Sequence, residues 1–295
     1  MDREPDPALA AVKTYNYLRI ALAALVLLLF VSVALEWVAA GGCLQPSVSA
    51  YYFTPVRAVF IGVLVTMGVC LVALKGNTDG EDVLMNLAGM LAPGVAFIPT
   101  VASGRCGASD AGVGIPDAVA NNMPALFVTG LVVGVVAVVI ARREAGGVRL
   151  SPVNRLGLAL TVLVLGSGVV WFLVARESFL DRGHDAAAIP MFLAIIAVVW
   201  LNARDVQQAL REGAVPSTHG AYVPIYRGIA IGMLVALAAT VAVSLLTGST
   251  SLVLWVEVVL ITLFAVFWVV QTTELWNRGL RRPDDLPVAT GPGLS

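Results

Sequence analysis

The sequence predicts an all-α, polytopic membrane protein of about eight spans with both termini in the cytoplasm, and three observations carry that prediction. The first is composition. Of the 295 residues, 59% are hydrophobic and 13% charged, and the mean hydropathy is +0.89, well outside the range of soluble globular domains. The second is patterning. Apolar runs near residues 18–40, 57–75, 83–100, 123–141, 156–175, 187–203, 228–247 and 251–273 each approach the ~20 residues a helix needs to cross a bilayer core. The third is the placement of Lys and Arg. With the N-terminus inside, the cytoplasmic side collects Arg3, Lys13, Arg19, Lys75, Arg142, Arg143, Arg149, Arg155, Arg204, Arg211, Arg227, Arg278, Arg281 and Arg282, and the other side keeps Arg57, Arg105, Arg176 and Arg182. That bias sets the orientation by the positive-inside rule, in the cytoplasmic membrane.

Residues 1–17 are expected to form a cytoplasmic segment. The first apolar run, at roughly 20 residues, exceeds the ~7–15 of a cleaved signal and should stay as an anchor. The second span opens at Arg57 and carries Gly62, Thr66 and Cys70 at four-residue spacing. In the third, Pro93 beside Gly94 removes a backbone donor and should bend the helix, and Pro99 helps end it. The fourth has Gly130 and Gly134. The seventh repeats small residues at Gly228, Gly232, Ala236, Thr240 and Ser244. Such stripes let helix backbones approach in lipid, where there is little hydrophobic drive between helices. Connections are short, so residues 18–275 read as one membrane domain. The Pro/Gly-rich end, within 276–295, reads as a disordered cytoplasmic tail.

Ionisable groups within or beside spans are costly in lipid, so they face the bundle interior and mark function or a buried pairing. Glu257 is the strongest pointer. Six residues into the eighth span, it lies about 9 Å along the helix from the boundary, too deep for a short carboxylate to reach water easily. Two readings fit: a buried pair with Arg57 or His184 that orders the bundle, or a site for a substrate, proton or ion. Glu36 ends the first span, and His184 and Asp185 are read as loop residues at the outer start of the sixth. The connection from Gln45 to Thr54 brings Ser49 and Tyr52 to the same level. The candidate outer pocket is therefore Glu36, Ser49, Tyr52, Arg57, His184, Asp185 and Glu257. Cys43 and Cys106 both fall outside, where thiols oxidise. A Cys43–Cys106 disulfide is expected, the alternative being two unpaired loop thiols, whereas Cys70 lies within a helix.

Walker loops, paired-cysteine metal patterns, His-Glu-x-x-His and nucleophile elbows do not occur in the chain. With one histidine on each side, His184 and His219, a zinc site of two or three histidines cannot form, which leaves open only a mixed site of His184 with Glu36, Asp185 and Glu257. No cofactor, bound metal or nucleic-acid partner is expected. Membrane lipids are the expected partners, with a small-molecule or lipid ligand.

The stretches Pro46-Ser47-Val48-Ser49-Ala50-Tyr51-Tyr52, Arg57-Ala58-Val59-Phe60-Ile61-Gly62, and Asn86-Leu87-Ala88-Gly89 leading to Val95-Ala96-Phe97-Ile98-Pro99-Thr100 resemble a family of uncharacterised bacterial multi-span membrane proteins. That family implies no particular reaction. More distantly, a Ser-containing outer loop followed by a late His resembles the superfamily of alkaline ceramidases and progestin/adiponectin-type receptors, which implies zinc held by three histidines. Ala188 stands here where the second of a His-x-x-x-His pair would fall. The same loop is similar to Frag1/DRAM/Sfk1-like membrane proteins. The leading functional expectation is a non-enzymatic protein that binds or moves a lipid or small solute, or acts in envelope maintenance. The competing one is an intramembrane lipid hydrolase with Glu257 or His184 as acid/base and Ser49 at the scissile bond. A structural subunit of a membrane complex is the third.

Overall fold

The computed structural model describes residues 7–100, 105–107, 114–144, 151–247 and 251–281. Every regular element among them is helical: α1 (Pro7–Ala39), α2 (Arg57–Ala73), α3 (Asp79–Phe97), α4 (Ile115–Glu144), α5 (Pro152–Val174), α6 (Arg176–Arg211), α7 (Tyr222–Thr247) and α8 (Ser251–Leu275), with short 3-10 helices at Ser49–Phe53, Arg105–Gly107 and Ser217–Ala221. Six of the long helices, α1 and α4–α8, are long and apolar enough to cross a membrane, which makes this a multi-pass membrane protein.

The expected runs two and three come out shorter or more polar than a full span. α2 has only 17 residues, because the chain leaves the helix at Leu74 ahead of Lys75-Gly76. α3 begins earlier than its apolar run, with Asp79, Glu81 and Asp82 in its first turn. Thr78 caps it, its Oγ1 accepting from Glu81 N–H at 3.3 Å, and the acidic side chains of that turn suit the positive end of the helix dipole. Lys75 pairs with Asp82, and Asp79 accepts from Ser151 Oγ at 2.8 Å, tying α3 to the start of α5. Ser151 also caps α5, with Pro152 in its first turn.

α3 is the central helix, packed between α2 and α6 with α5 alongside. Its closest approach is to α2. A Cβ built on Gly89 would lie 2.6 Å from the Gly68 carbonyl oxygen, and one on Gly68 would lie 2.6 Å from the Gly89 oxygen and 3.2 Å from Cδ of Pro93. The four-residue stripes read from sequence are looser: Gly62, Gly134 and Gly228 have nothing within 4 Å of that position, Gly130 meets Leu165 at 3.5 Å, and Gly232 alone is tight, against Leu263 at 3.1 Å. Small residues open contacts only where another helix happens to face them. The core continues through Leu22 and Leu29 of α1, Tyr226 and Met233 of α7, and Leu260 and Trp268 of α8. α4 and α5 lie at the periphery and keep nearly all of their apolar surface outward, as lipid-facing helices do.

Two further features define the ends of the bundle. At one, Cys43 and Cys106 form a disulfide, their Cα atoms 5.7 Å apart, and Gln45 Nε2 donates to the Arg105 carbonyl at 3.1 Å beside it. Cys70 is buried and reduced. At the opposite end, residues 276–281 turn back under the helices. Arg281 is wholly buried, so the tail expected to be disordered from residue 276 begins with an anchored stretch. Residues 1–6 and 282–295, the remainder of the two expected terminal segments, lie outside the described residues.

Candidate functional site

The first turn of α8 leaves backbone N–H groups without intrahelical acceptors. One of them, Leu254 N–H, donates to the Pro46 carbonyl at 2.9 Å and so draws the segment after Cys43 across the start of α8. Val48 N–H then donates to Glu257 Oε2 at 2.6 Å, and Ser49 N–H also reaches the carboxylate. Ser47 Oγ accepts from Ala50 N–H at 3.0 Å, which turns the chain into the 3-10 helix at Ser49–Phe53. The deep carboxylate is thus met by backbone N–H groups rather than by a cation.

α6 supplies the next group. α5 and α6 are separated by Ala175 alone, so the expected loop before the sixth span is helix and His184 and Asp185 sit within α6. One residue apart on a helix, they point about 100° from each other: His184 is 6% exposed, while Asp185 is exposed. His184 Nδ1 lies 2.8 Å from the Ile98 carbonyl. A carbonyl only accepts, so Nδ1 carries a hydrogen. In the neutral ring Nε2 is then the acceptor for the Ser49 hydroxyl, 3.0 Å away.

Ser49, His184, Asp185 and Glu257 all line one cavity of about 340 Å³. Below them the walls are apolar. They descend α2 from Phe60 to Leu71 and α8 from Val253 to Phe264, eleven residue steps in each case, or roughly 16 Å at 1.5 Å per residue. Asp185 of α6 with Ser244 and Leu245 of α7 are the exposed lining residues and mark the mouth.

The other expected pocket residues stand elsewhere. Arg57 lies over the Tyr52 ring at 4.5 Å and donates to Tyr52 Oη at 2.9 Å. Neither residue is on the cavity wall, and the suggested Glu257–Arg57 pair is absent, because Tyr52, five residues back, is the nearer partner for the guanidinium. Glu36 is also off the wall and neighbours Tyr51, whose phenol is pushed above its ordinary pKa by burial first and by the Glu36 charge in addition. His219 lies past the far end of α6, in the 3-10 helix Ser217–Ala221.

The largest polar assembly was not anticipated. At the opposite end of α8, Arg281 Nε and Nη2 donate to the two oxygens of Glu274, each at 2.8 Å, Nη1 to Asp205 Oδ2 at 2.9 Å, and Nη2 also to Asn202 Oδ1 at 2.9 Å. Tyr226 Oη donates to Glu274, and Gln271 Nε2 to Asn202 Oδ1 at 2.8 Å. Burial alone would lower the Arg281 pKa, but the hydrogen bonds and charge of Glu274 outweigh it and the net shift is upward, so the cation is fixed. Arg19, 1% exposed, donates to the Gly279 carbonyl at 2.7 Å, and Asn16 to that of Trp276 at 2.7 Å. The sequence did hold a signal. Asn202 with Asp205 and Gln271 with Glu274 are each at i, i+3, one face of a helix, at the same membrane level. Comparison of the chain with family models, with curated proteins and with solved structures finds no match.

Proposed function

We propose that this protein spans the cytoplasmic membrane with all eight helices, termini inside, and binds a lipid or other amphiphile in the cavity at the disulfide end. The observation that carries the reading is the form of that cavity: a long apolar wall with its polar groups gathered near one end, the shape an amphiphile fits. Retention is tested by native mass spectrometry of protein extracted from its own membranes. A bound amphiphile is expected on the wild type and is lost in Ala188→Phe, which fills the shaft from α6. Identical spectra for the two would sink the reading.

The orientation rests on two independent supports, the fourteen-to-four charge bias and the placement of the disulfide, which belongs on the oxidising side. Because Cys70 is buried and the other thiols are bridged, single added cysteines report cleanly. One at Arg211 is expected to react with an impermeant maleimide only after permeabilisation, and one at Gly248, in the α7–α8 connection, in intact cells. The reverse pattern would invert the topology.

One observation favours a second reading. The Ser49–His184 hydrogen bond, with Nδ1 held by Ile98, has the arrangement of a nucleophile and its base, so hydrolysis of an ester at the polar end is chemically within reach. A fluorophosphonate separates the two in the same spectra: a hydrolase gains its mass at Ser49 and Ser49→Ala does not, while a binding protein gains none.

A further inference from the structure

Resting on the amphiphile-binding reading, we infer that the ligand of the cavity is an amphiphile whose head is an ammonium group. The tail cannot supply the selectivity. A chain that leaves the bilayer for the shaft exchanges one apolar medium for another and gains little, so the choice among ligands falls to the polar end. That end is acidic. Glu257 and Asp185 both line it, and no Lys or Arg is among the lining residues. Arg182, one turn before Asp185, is not on the cavity wall but lines an adjoining surface groove that shares Asp185 and Ile189 with it.

The hydrogen-bond inventory points the same way. Val48 and Ser49 spend their N–H groups on Glu257, Ala50 spends its own on Ser47, and both nitrogens of His184 are engaged. What the carboxylate of Glu257 and the remaining lone pairs of Ser49 offer is acceptance. An ammonium brings three donors and the complementary charge; a phosphate or carboxylate head would bring more acceptors and a like charge into a site of low dielectric, where both are costly.

The test uses the full chain in phosphatidylcholine nanodiscs and three probes with one tail, namely dodecylammonium, dodecanol and dodecanoate, with affinities from displacement of a tritiated dodecylammonium tracer. Dodecylammonium is expected to bind at least tenfold more tightly than dodecanol, and dodecanoate more weakly than either. Glu257→Gln should bring the amine down to the level of the alcohol. Since Glu257 also anchors Val48, Asp185→Asn, an exposed mouth residue, provides a variant without that structural role and should narrow the preference. Dodecanoate binding as tightly as the amine overturns the ammonium assignment and leaves the cavity reading intact. Failure of all three probes to displace the tracer from the shaft, with Ala188→Phe behaving as wild type, removes the cavity reading itself.

Discussion

Arg281→Met is expected to destabilise the protein by about 3–5 kcal/mol, the range for removing one partner of a buried ion pair. The guanidinium is wholly buried and forms salt bridges to both Asp205 and Glu274. Methionine fills a similar volume but leaves two buried carboxylates facing each other, with Tyr226 the remaining donor to Glu274. Thermal unfolding in detergent should show the loss directly. The triple replacement of Arg281, Asp205 and Glu274 by apolar residues of matched volume should recover much of it, because no uncompensated charge then remains. A single Arg281→Met variant as stable as wild type would mean that the network contributes nothing. Removal of residues 276–295 should mimic the single change and exceed it, since Arg19 and Asn16 then also lose the carbonyls of Gly279 and Trp276.

The second large effect is expected at the α2–α3 crossing. Gly89→Val places a Cβ where the Gly68 carbonyl oxygen already sits at 2.6 Å, and a backbone atom within a helix cannot turn aside as a side chain can. Overpacking of this kind costs about 1–3 kcal/mol and sometimes more, and a backbone clash belongs at the upper end. Because α3 also carries the contacts to α6, the shift should reach His184 and weaken amphiphile binding. Gly62→Val, on the same helix pair but with open space at the Cβ position, is the control and should stay near wild type. Equal behaviour of the two variants would show that the close approach is not needed.

Glu257 was legible from one number, its depth in an apolar run, because a carboxylate there is expensive whatever surrounds it. Its partner was not. Arg57 was a reasonable candidate by level in the membrane, but the local geometry gives the guanidinium a ring five residues away, and backbone N–H groups, which no side-chain inventory contains, take the carboxylate. His184 was placed at the right level but in a loop; the single-residue joint at Ala175 makes it helical and so sets which way it faces. Arg281 shows the converse error. A Pro/Gly-rich tail has the composition of disorder, and only the acids waiting at i, i+3 on α6 and α8 turn its first residues into a buried anchor.

What the sequence determined by itself was the membrane character and the helical class, and it offered the pairing of Cys43 with Cys106 as one of two alternatives. All of these follow from local quantities: the transfer free energy of a run of side chains, the rise of a helix, and the count of spans between two thiols. The tertiary structure alone decided which helix faces meet, that Gly68 and Gly89 are the close contact, that Ser49, His184 and Glu257 share one cavity while Arg57 does not, and that α2 and α3 are shorter or more polar than full spans. Helices apolar all round carry no preferred face in their hydropathy, so rotation and neighbour choice are settled by packing and by the few polar groups that must find partners, and those are properties of pairs of elements rather than of any one of them.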